Sequence, residues 1–147
     1  MIIIQKHCRK QSRRVEPADY DFIKEIAGEM VDLCRKPLGK YPFAFAIAHC
    51  QVNFDDPLCF FVTNDGRVII NPIIVGWGEK TIIEAEGCYS YAFRPAKKMK
   101  RWSKVFVDYQ YMSPNGDVQQ ERAKIFEGDW ARVFQHEIEH FKGMAIY

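Results

Sequence analysis

Residues 129–143 read DWARVFQHEIEHFKG, the segment from which most of the architecture can be inferred. Its apolar side chains recur three or four positions apart, a spacing that puts them on one face of an α-helix: Phe134, Ile138 and Phe141. Asp129 is a good N-cap residue, and Gly143 is typical of the position just after a helix. The segment therefore predicts an amphipathic helix over 129–142.

The same helix carries the strongest chemical signal, the pentapeptide His136-Glu137-Ile138-Glu139-His140. Positions four apart lie on one face of a helix, so His136 and His140 can hold one metal ion together. Glu137 then stands where a carboxylate can accept a proton from a water that the metal activates. Two surface histidines would be a simpler explanation, but the predicted helix favours metal binding. Glu139 is either solvated or orients a ligand histidine.

A third ligand has to be sought elsewhere, because a catalytic metal site usually has three protein ligands and one open position. Zinc peptidases with this motif usually take the third ligand downstream, yet the residues after His140, FKGMAIY, offer none. The candidates therefore lie upstream: His7, His49, several carboxylates and the cysteines at 8, 34, 50, 59 and 88. An odd cysteine count without paired spacing predicts free thiols in a reducing cytoplasm.

The segments that precede this helix predict mixed α and β structure. Residues 17–35 read as an amphipathic helix whose apolar face is Phe22, Ile26, Met30 and Leu33. The apolar run 43–51 is too short for an exposed helix and favours a buried strand. Further strands are predicted in three places: a hairpin within 58–71 around Asn64-Asp65-Gly66, a strand near 81–85, and a hairpin joining 104–111 to 118–125. Antiparallel strands between two helices indicate an α+β fold.

Composition narrows the classes of function. The chain has 147 residues, of which 48% are hydrophobic and 27% charged, with a formal net charge of +2. This length favours one domain over 1–147, and so small a charge does not predict a nucleic-acid partner. No apolar run approaches the length of a signal peptide core or a membrane span, so the sequence predicts a cytoplasmic protein. Lys97, Lys98, Lys100 and Arg101 form either a basic patch or, more simply, a solvated loop or strand edge.

Two motifs, in the right order along the chain, resemble those of a known family. The segments are EGCYS at 86–90 and QHEIEH at 135–140, preceded by AFAIAHCQ at 44–51 and by VIINP at 68–72, a strand leading into an Asn-Pro turn. In this order the chain resembles the peptide deformylase family, and its length is similar to that of the shortened forms encoded by bacteriophages. The resemblance implies antiparallel sheets around a central C-terminal HExxH helix, with an N-terminal helix.

The resemblance also implies an activity, the hydrolysis of the N-formyl group of formylmethionine at the start of nascent polypeptides, which releases formate. Cys88, His136 and His140 would bind one divalent metal ion. Glu137 would be the general acid and base, while the Gln51 side chain and the Tyr89 backbone N–H would donate hydrogen bonds to the oxyanion. Fe(II) is the expected metal, and zinc, nickel or cobalt would also suit these ligands.

The implied substrate site and partners follow from the same resemblance. The residues at family positions that line the methionine pocket are Ala44, Phe45, Ala46, Glu86, Gly87, Arg132 and Val133. The partners would be N-formylmethionyl peptides, with at most a transient ribosome contact, and no nucleic-acid specificity or membrane is implied. A C-terminal tail that many bacterial relatives carry is absent, which weakens ribosome docking through such a tail.

The first motif departs from the family pattern GxGxAAxQ, and two other functions remain open. Ala44 and Ala46 replace glycines, and an extra methyl there could obstruct the close approach of a peptide. His49 also departs from the pattern, and we expect it to be packed rather than to bind metal. The alternatives are a zincin-like metallopeptidase, which would need a downstream ligand, and a catalytically decayed deformylase homologue that still binds metal.

Overall fold

A computed structural model describes residues 4, 10–53, 55–78 and 80–146. It contains two α-helices and seven β-strands in the described part of the chain. In chain order they are α1 (Tyr20–Cys34), β1 (Ala46–Ala48), β2 (Phe60–Thr63), β3 (Val68–Trp77), β4 (Thr81–Glu86), β5 (Lys97–Trp102), β6 (Lys104–Met112), β7 (Val118–Glu127) and α2 (Gly128–Phe141). Short 3-10 turns cover Pro17–Asp19, His49–Gln51 and Tyr89–Tyr91.

The strands form two antiparallel sheets. The larger has the order β1-β2-β3-β6-β7, and the smaller pairs β4 with β5. The larger sheet is covered by a helix on each face, so neighbouring residues of one strand are buried on opposite sides. Phe60 packs in the cluster that contains α1, whereas Phe61 packs in the cluster that contains α2. The α+β class, the N-terminal helix and the sheets around the C-terminal helix are thus confirmed.

Helix α2 matches its prediction except at its start. Phe134 and Phe141 are buried against the larger sheet, as the apolar spacing predicted. Gly143 has a positive φ of 77° and its N–H donates to the His140 carbonyl at 2.9 Å, which ends the helix. The prediction that Asp129 is the N-cap was wrong. The chain enters α2 directly from β7 through Gly128, so Asp129 lies in the first turn.

The buried face of α1 is rotated by about one residue from its prediction. The buried residues are Ile23, Ala27, Met30, Val31 and Cys34, while Phe22 is 42% exposed. Ala27 and Cys34 are small, and small side chains let a helix approach a sheet closely. The Cys34 thiol lies 3.9 Å from the Val62 carbonyl of β2. Of the predicted apolar face, Met30 is buried, and Ile26 and Leu33 are partly buried against the core.

Two strand predictions are corrected by local geometry. The segment 43–51 is a strand only over Ala46–Ala48, because the chain then makes a helical turn. VIINP does not end in a turn: β3 continues to Trp77 past a bulge at Asn71, which has a φ of 49°. The lysine-rich segment lies in strand β5 with its three lysines exposed, as the simpler alternative of a solvated strand edge predicted, but its Arg101 is 5% exposed. No helix among the described residues is long and apolar enough to cross a membrane.

Candidate metal and catalytic centre

Three possible metal ligands meet between α2 and the turn that follows β4. His136 and His140 are one helical turn apart, and their Nε2 atoms are 3.1 Å from each other. The Cys88 Sγ lies 3.4 Å from the His140 Nε2. One ligand atom from each residue lies within 4.8 Å of those of the other two, and Cys88 and His140 are buried. The upstream residue that completes the helical pair is therefore Cys88 among the described candidates.

Glu86 holds the first histidine in place. Its Oε1 lies 3.0 Å from the His136 Nδ1, which directs the His136 Nε2 toward the cluster. Glu86 also accepts hydrogen bonds from Arg101 at 2.9 Å and from Arg132 at 2.8 Å. Burial alone would raise the pKa of Glu86, but the hydrogen bonds with His136 and Arg101 outweigh burial and lower its pKa to about 2. Glu86 is therefore an anion at neutral pH.

Glu139 affects this cluster indirectly, through Arg101. Its carboxylate accepts a hydrogen bond from Arg101, whose guanidinium also binds Glu86. Glu139 thus fixes the arginine that fixes Glu86, rather than contacting a histidine of the cluster itself. The solvated alternative does not hold, since this ion pair involves a buried arginine.

The two histidines differ in their affinity for a proton. Burial, together with the charges of His136 and Arg101, lowers the pKa of His140 to about 3. Burial also disfavours charge on His136, but its hydrogen bonds to Cys88 and Glu86 raise its pKa to about 10. The cluster therefore stabilises one positive charge between Cys88 and Glu86. Such an arrangement suits a bound cation.

Glu137, also on α2, lies beside the cluster of possible metal ligands and lines the same cleft. The residue is 3% exposed, and its Oε2 has no hydrogen-bond partner within the described part of the chain. Burial raises the pKa of Glu137 to about 7, against the lowering effect of His136. A carboxyl group with a pKa near neutrality can both accept and return a proton, as a general acid and base must.

Gln51 and Tyr89 lie beside Cys88. The Gln51 Nε2 donates to the Ser90 Oγ at 3.1 Å and lies 3.6 Å from the Cys88 Sγ, while its Oε1 accepts from the Ala48 N–H at 2.9 Å. These contacts fix the amide with its donor toward the cluster. Tyr89 begins a helical turn, where a backbone N–H has no acceptor within the turn. Its side chain points away and donates to the Lys36 carbonyl at 2.6 Å.

A cleft of about 270 Å³ leads to this cluster. Every residue predicted to line a substrate pocket lies on it: Ala44, Phe45, Ala46, Glu86, Gly87, Arg132 and Val133. One side is formed near β1, where Phe45 packs on Trp130 of α2 with ring centroids 5.3 Å apart. The other side is the end of β4. In the described sheets β1 and β4 each pair on one edge only, so both have a free edge.

Five further residues on the cleft were missed from the sequence: Tyr41, Phe43, Glu84, Ala85 and Asp129. Tyr41 could not have been predicted from the sequence, because its contact with Gly87 is visible only in the structure. Its ring lies against the α-carbon of Gly87, where the Cβ of any other residue would overlap it. Glu84 and Asp129 could have been found from their neighbours Glu86 and Arg132, because residues two apart on a strand and three apart on a helix share a face.

His49 is packed, as expected, and lies outside the metal cluster. It is fully buried, its Nδ1 accepts from the Leu58 N–H at 3.0 Å, and its ring stacks on Phe60 with centroids 4.8 Å apart. Burial lowers the pKa of His49 to about 4, so it is neutral. His7 and Cys8 lie outside the described residues.

A thiol and two helix-borne imidazoles beside a buried glutamate define a candidate metallohydrolase of the HExxH class. The model of the polypeptide deformylase family matches residues 2–147, and the chain belongs to that family. A peptide deformylase from Thermus thermophilus is 34% identical over 152 aligned residues, which cover 95% of this chain and 74% of that protein. The chain spans 49% and 51% of the length of two other curated peptide deformylases that it matches.

Solved structures agree with this assignment. The crystal structure of peptide deformylase from Thermotoga maritima has a TM-score of 0.77 and 26% identity, and covers 99% of this chain and 95% of its own. A probable peptide deformylase from Synechococcus phage S-SSM7 shares the fold with a TM-score of 0.77 at 22% identity, covering 99% and 97% of the two chains. The bacteriophage origin of the present chain stays a prediction.

Proposed function

We propose that this protein is a metal-dependent amidohydrolase that removes the formyl group from N-terminal formylmethionine and releases formate. The observation that carries the proposal is the meeting of Cys88, His136 and His140 beside a cleft, which is lined by Cys88, His136 and the buried residue Glu137. A purely structural metal site would need neither the cleft nor a buried carboxyl group without a partner. Membership of the polypeptide deformylase family supports the same activity.

Cys88, His136 and His140 would hold one divalent ion. Sulfur and imidazole nitrogen donors suit Fe(II), zinc, nickel and cobalt, of which we expect Fe(II) in the cell. Three ligands leave a position open, as in catalytic rather than structural sites. When bound, the ion would polarise the formyl oxygen and lower the pKa of water. Glu86 would fix the orientation of His136 toward it, as such carboxylates do for many ligand histidines.

The side chains around the metal site would carry out proton transfer and would stabilise the negative charge that develops on the formyl oxygen. Glu137 would take a proton from the attacking water, whose oxygen adds to the formyl carbon. The C–N bond then breaks, and Glu137 returns the proton to the departing amine, so that one water and one formamide give formate and a free amino group. The Gln51 amide and the Tyr89 N–H would donate to the formyl oxygen as negative charge develops on it.

The substrate would be the extended start of a nascent polypeptide in the cytoplasm. The free edges of β1 and β4 offer backbone groups to an added strand on either side of the cleft. Ala44 lines the cleft but is 8% exposed and packs in the core cluster. Ala46 is half-buried on the cleft wall. Phe45, Val133 and the aliphatic part of Arg132 would then contact the methionine side chain.

A formate-release assay on formyl-Met-Ala-Ser tests this proposal, run anaerobically with added Fe(II), Ni(II) or Zn(II). Glu137→Ala should bind the same amount of metal and lose turnover by about 10²–10⁴-fold, because the proton carrier is gone. Glu29→Ala on the exposed side of α1 is the matched control and should behave as wild type. Cleavage of unformylated peptides would favour a zincin-like peptidase, and bound metal without formate release a decayed homologue.

A further inference from the structure

Two tryptophans, one from each sheet, are stacked on the surface of the protein. Trp77 ends β3 of the larger sheet and Trp102 ends β5 of the smaller one. Their rings lie nearly parallel, with centroids 6.0 Å apart and an angle of 22° between the ring planes. Trp102 packs partly against the core beneath α2, whereas Trp77 is 57% exposed. An exposed indole offers a flat apolar face on which another planar group can stack.

The backbone around the tryptophan pair is fixed by hydrogen bonds. The side chain of Gln135 on α2 accepts from the Trp102 N–H at 2.8 Å and donates to the Trp102 carbonyl at 2.9 Å. The N–H and the Oγ of Ser103 both donate to the Lys80 carbonyl at 3.1 Å. The segments that carry Trp102 and Lys80 are therefore ordered before any partner binds, which reduces the entropy cost of binding.

Two concavities lie beside these rings, with volumes of about 780 and 660 Å³. Trp77 lines the first and Trp102 lines the second, while Lys80 lines both. Lys104 also lines the first concavity, and Lys100 lines the second. Volumes of about 300–1,000 Å³ are typical of sites that bind small molecules. Each tryptophan thus borders a space that can hold a planar group next to a basic side chain.

The lysines of β5 lie on the same face of the smaller sheet as Trp102. Side chains alternate along a strand, and β4 pairs with β5 without a bulge, so Lys98, Lys100 and Trp102 share the outer face. Arg101 lies on the inner face, where it is paired with Glu86. The other acidic residue of β4 is two positions before Glu86 and also faces inward, toward α2. The outer face of this sheet is therefore basic.

Few acidic side chains offset the lysines around the tryptophan pair. Among the described residues that line the two concavities, Glu127 is the acidic one, and it is paired with Lys104 at 3.3 Å. Glu79 lies outside the described residues. Three lysines take part in no ion pair within the described part of the chain: Lys80, Lys98 and Lys100. This face thus has a local excess of positive charge that the formal net charge of +2 does not reveal.

We propose that this face binds a single-stranded segment of nucleic acid, with bases stacked on Trp77 and phosphates against Lys80, Lys98 and Lys100. Proteins that bind single strands without reading their sequence combine aromatic faces with basic side chains in this way. A duplex does not expose the faces of its bases, and an anionic lipid has no planar group to stack, so the surface favours an unpaired strand. Binding here does not require hydrolysis at the cleft, so it can be tested whether or not the proposed function holds.

Fluorescence anisotropy of labelled octauridylate and octathymidylate tests the proposal on the metal-loaded protein, and the two octamers show whether RNA or DNA is preferred. We expect Kd values of about 10⁻⁴–10⁻⁶ M, which are typical of non-specific binding. The slope of log K against log salt concentration should be about −2, because each of three neutralised phosphates on a single strand contributes about −0.7. Inorganic polyphosphate of eight units has the charge without the bases and should compete about tenfold less well.

Variants separate stacking from charge. Trp77→Ala should weaken octamer binding by about tenfold, whereas Trp77→Phe keeps a ring and should retain most of the affinity. Lys98→Gln combined with Lys100→Gln should reduce the salt slope to about −0.7. Two matched controls should leave binding unchanged. Phe93→Ala removes an aromatic ring that is 85% exposed but lines neither concavity, and Lys24→Gln removes an exposed charge of α1.

Three results would overturn the proposal. Neither octamer may fail to bind at about 1 mM, which is ten times the weakest Kd expected. An affinity that Trp77→Ala leaves unchanged, or polyphosphate that competes as well as octauridylate, would show that charge alone explains binding. Vesicles of phosphatidylglycerol that bind when neither octamer does would assign the face to a membrane surface instead. Formate release, measured in parallel, should be the same for wild type and Trp77→Ala, because Trp77 does not line the cleft.

Discussion

The carboxylate of Glu86 lies 3.0 Å from the Nδ1 of His136. This contact joins the two sequence motifs, because Glu86 stands two residues before Cys88 and His136 opens the HEIEH segment of α2. Arg101 and Arg132 bind the same carboxylate, at 2.9 and 2.8 Å. One buried anion thus fixes a histidine of the cluster and is shared by two arginines, of which Arg101 also pairs with Glu139 and Arg132 with Glu84.

Replacing Glu86 should damage both stability and metal binding. Glu86→Ala would leave two buried guanidinium groups without their shared anion, which typically costs about 3–5 kcal/mol of unfolding free energy. Loss of the contact to His136 should weaken metal binding by about 10–100-fold. Urea unfolding and metal titration measure the two effects. Glu84→Ala, which removes a half-exposed partner of Arg132, is the control and should cost less than about 1 kcal/mol.

Gly87 should tolerate no side chain while Tyr41 is present. A Cβ at position 87 would overlap the Tyr41 ring, so Gly87→Ala must displace either the ring or the backbone next to Cys88. We expect a cost of about 1–3 kcal/mol and a lower metal affinity. Tyr41→Ser should suppress much of the defect in the double variant, since it removes the overlapping atoms. A double variant as impaired as Gly87→Ala would show that the overlap is not the cause.

The helical part of the metal site could be predicted from sequence because its residues are close in the chain, whereas the third ligand, Cys88, followed only from the family resemblance. His136, Glu137 and His140 are fixed relative to one another by the period of one helix, and the apolar stripe shows which face of that helix is buried. The hairpins were equally accessible from their turn residues: β2 meets β3 after Asn64-Asp65-Gly66, and β6 meets β7 after the turn that contains Gly116.

The features that could not be predicted depend on contacts between distant segments. Asn71 adopts its positive φ inside β3 because its side chain bonds the backbone of Val15, 56 residues away. Arg101 reads as one member of a basic run, yet it is buried by ion pairs with Glu86 and Glu139. No periodic pattern in either segment predicts the contact between Tyr41 and Gly87. Spacing predicts the elements, whereas these contacts depend on how the elements pack.

Gln51 should affect turnover far more than metal content. Its Nε2 is held toward Cys88 by the Ser90 hydroxyl, and its Oε1 by the Ala48 N–H. Gln51→Ala removes a donor aimed at developing negative charge, so kcat should fall by about 10²–10³-fold. Ser90→Ala keeps the donor but removes one support, and should have a smaller effect on kcat. Metal analysis of both variants checks that the ligands are intact; a parallel loss of metal from Gln51→Ala would assign it a structural role.

His49 should make the protein sensitive to mild acid. Its pKa is about 4 in the folded chain against an ordinary value of 6.5. Between these values the unfolded state binds a proton that the folded state does not, so stability falls as pH falls from 6.5 to 4 and levels off below that. The shift corresponds to about 3 kcal/mol. The physical cause is burial, and a proton on Nδ1 would also face the Leu58 N–H that now donates to it.

His49→Asn separates this contribution from that of other titrating groups. The asparagine Oδ1 can take the place of Nδ1 as acceptor for the Leu58 N–H, so the variant should fold while lacking a titratable ring. It will be less stable than wild type at pH 7.5, because the contact with Phe60 is reduced. Urea unfolding at pH 7.5, 5.5 and 4.5 should show the wild-type advantage shrinking by about 2.5 kcal/mol across that range. Parallel pH dependences in the two proteins would mean that other groups, and not the buried imidazole, govern acid unfolding.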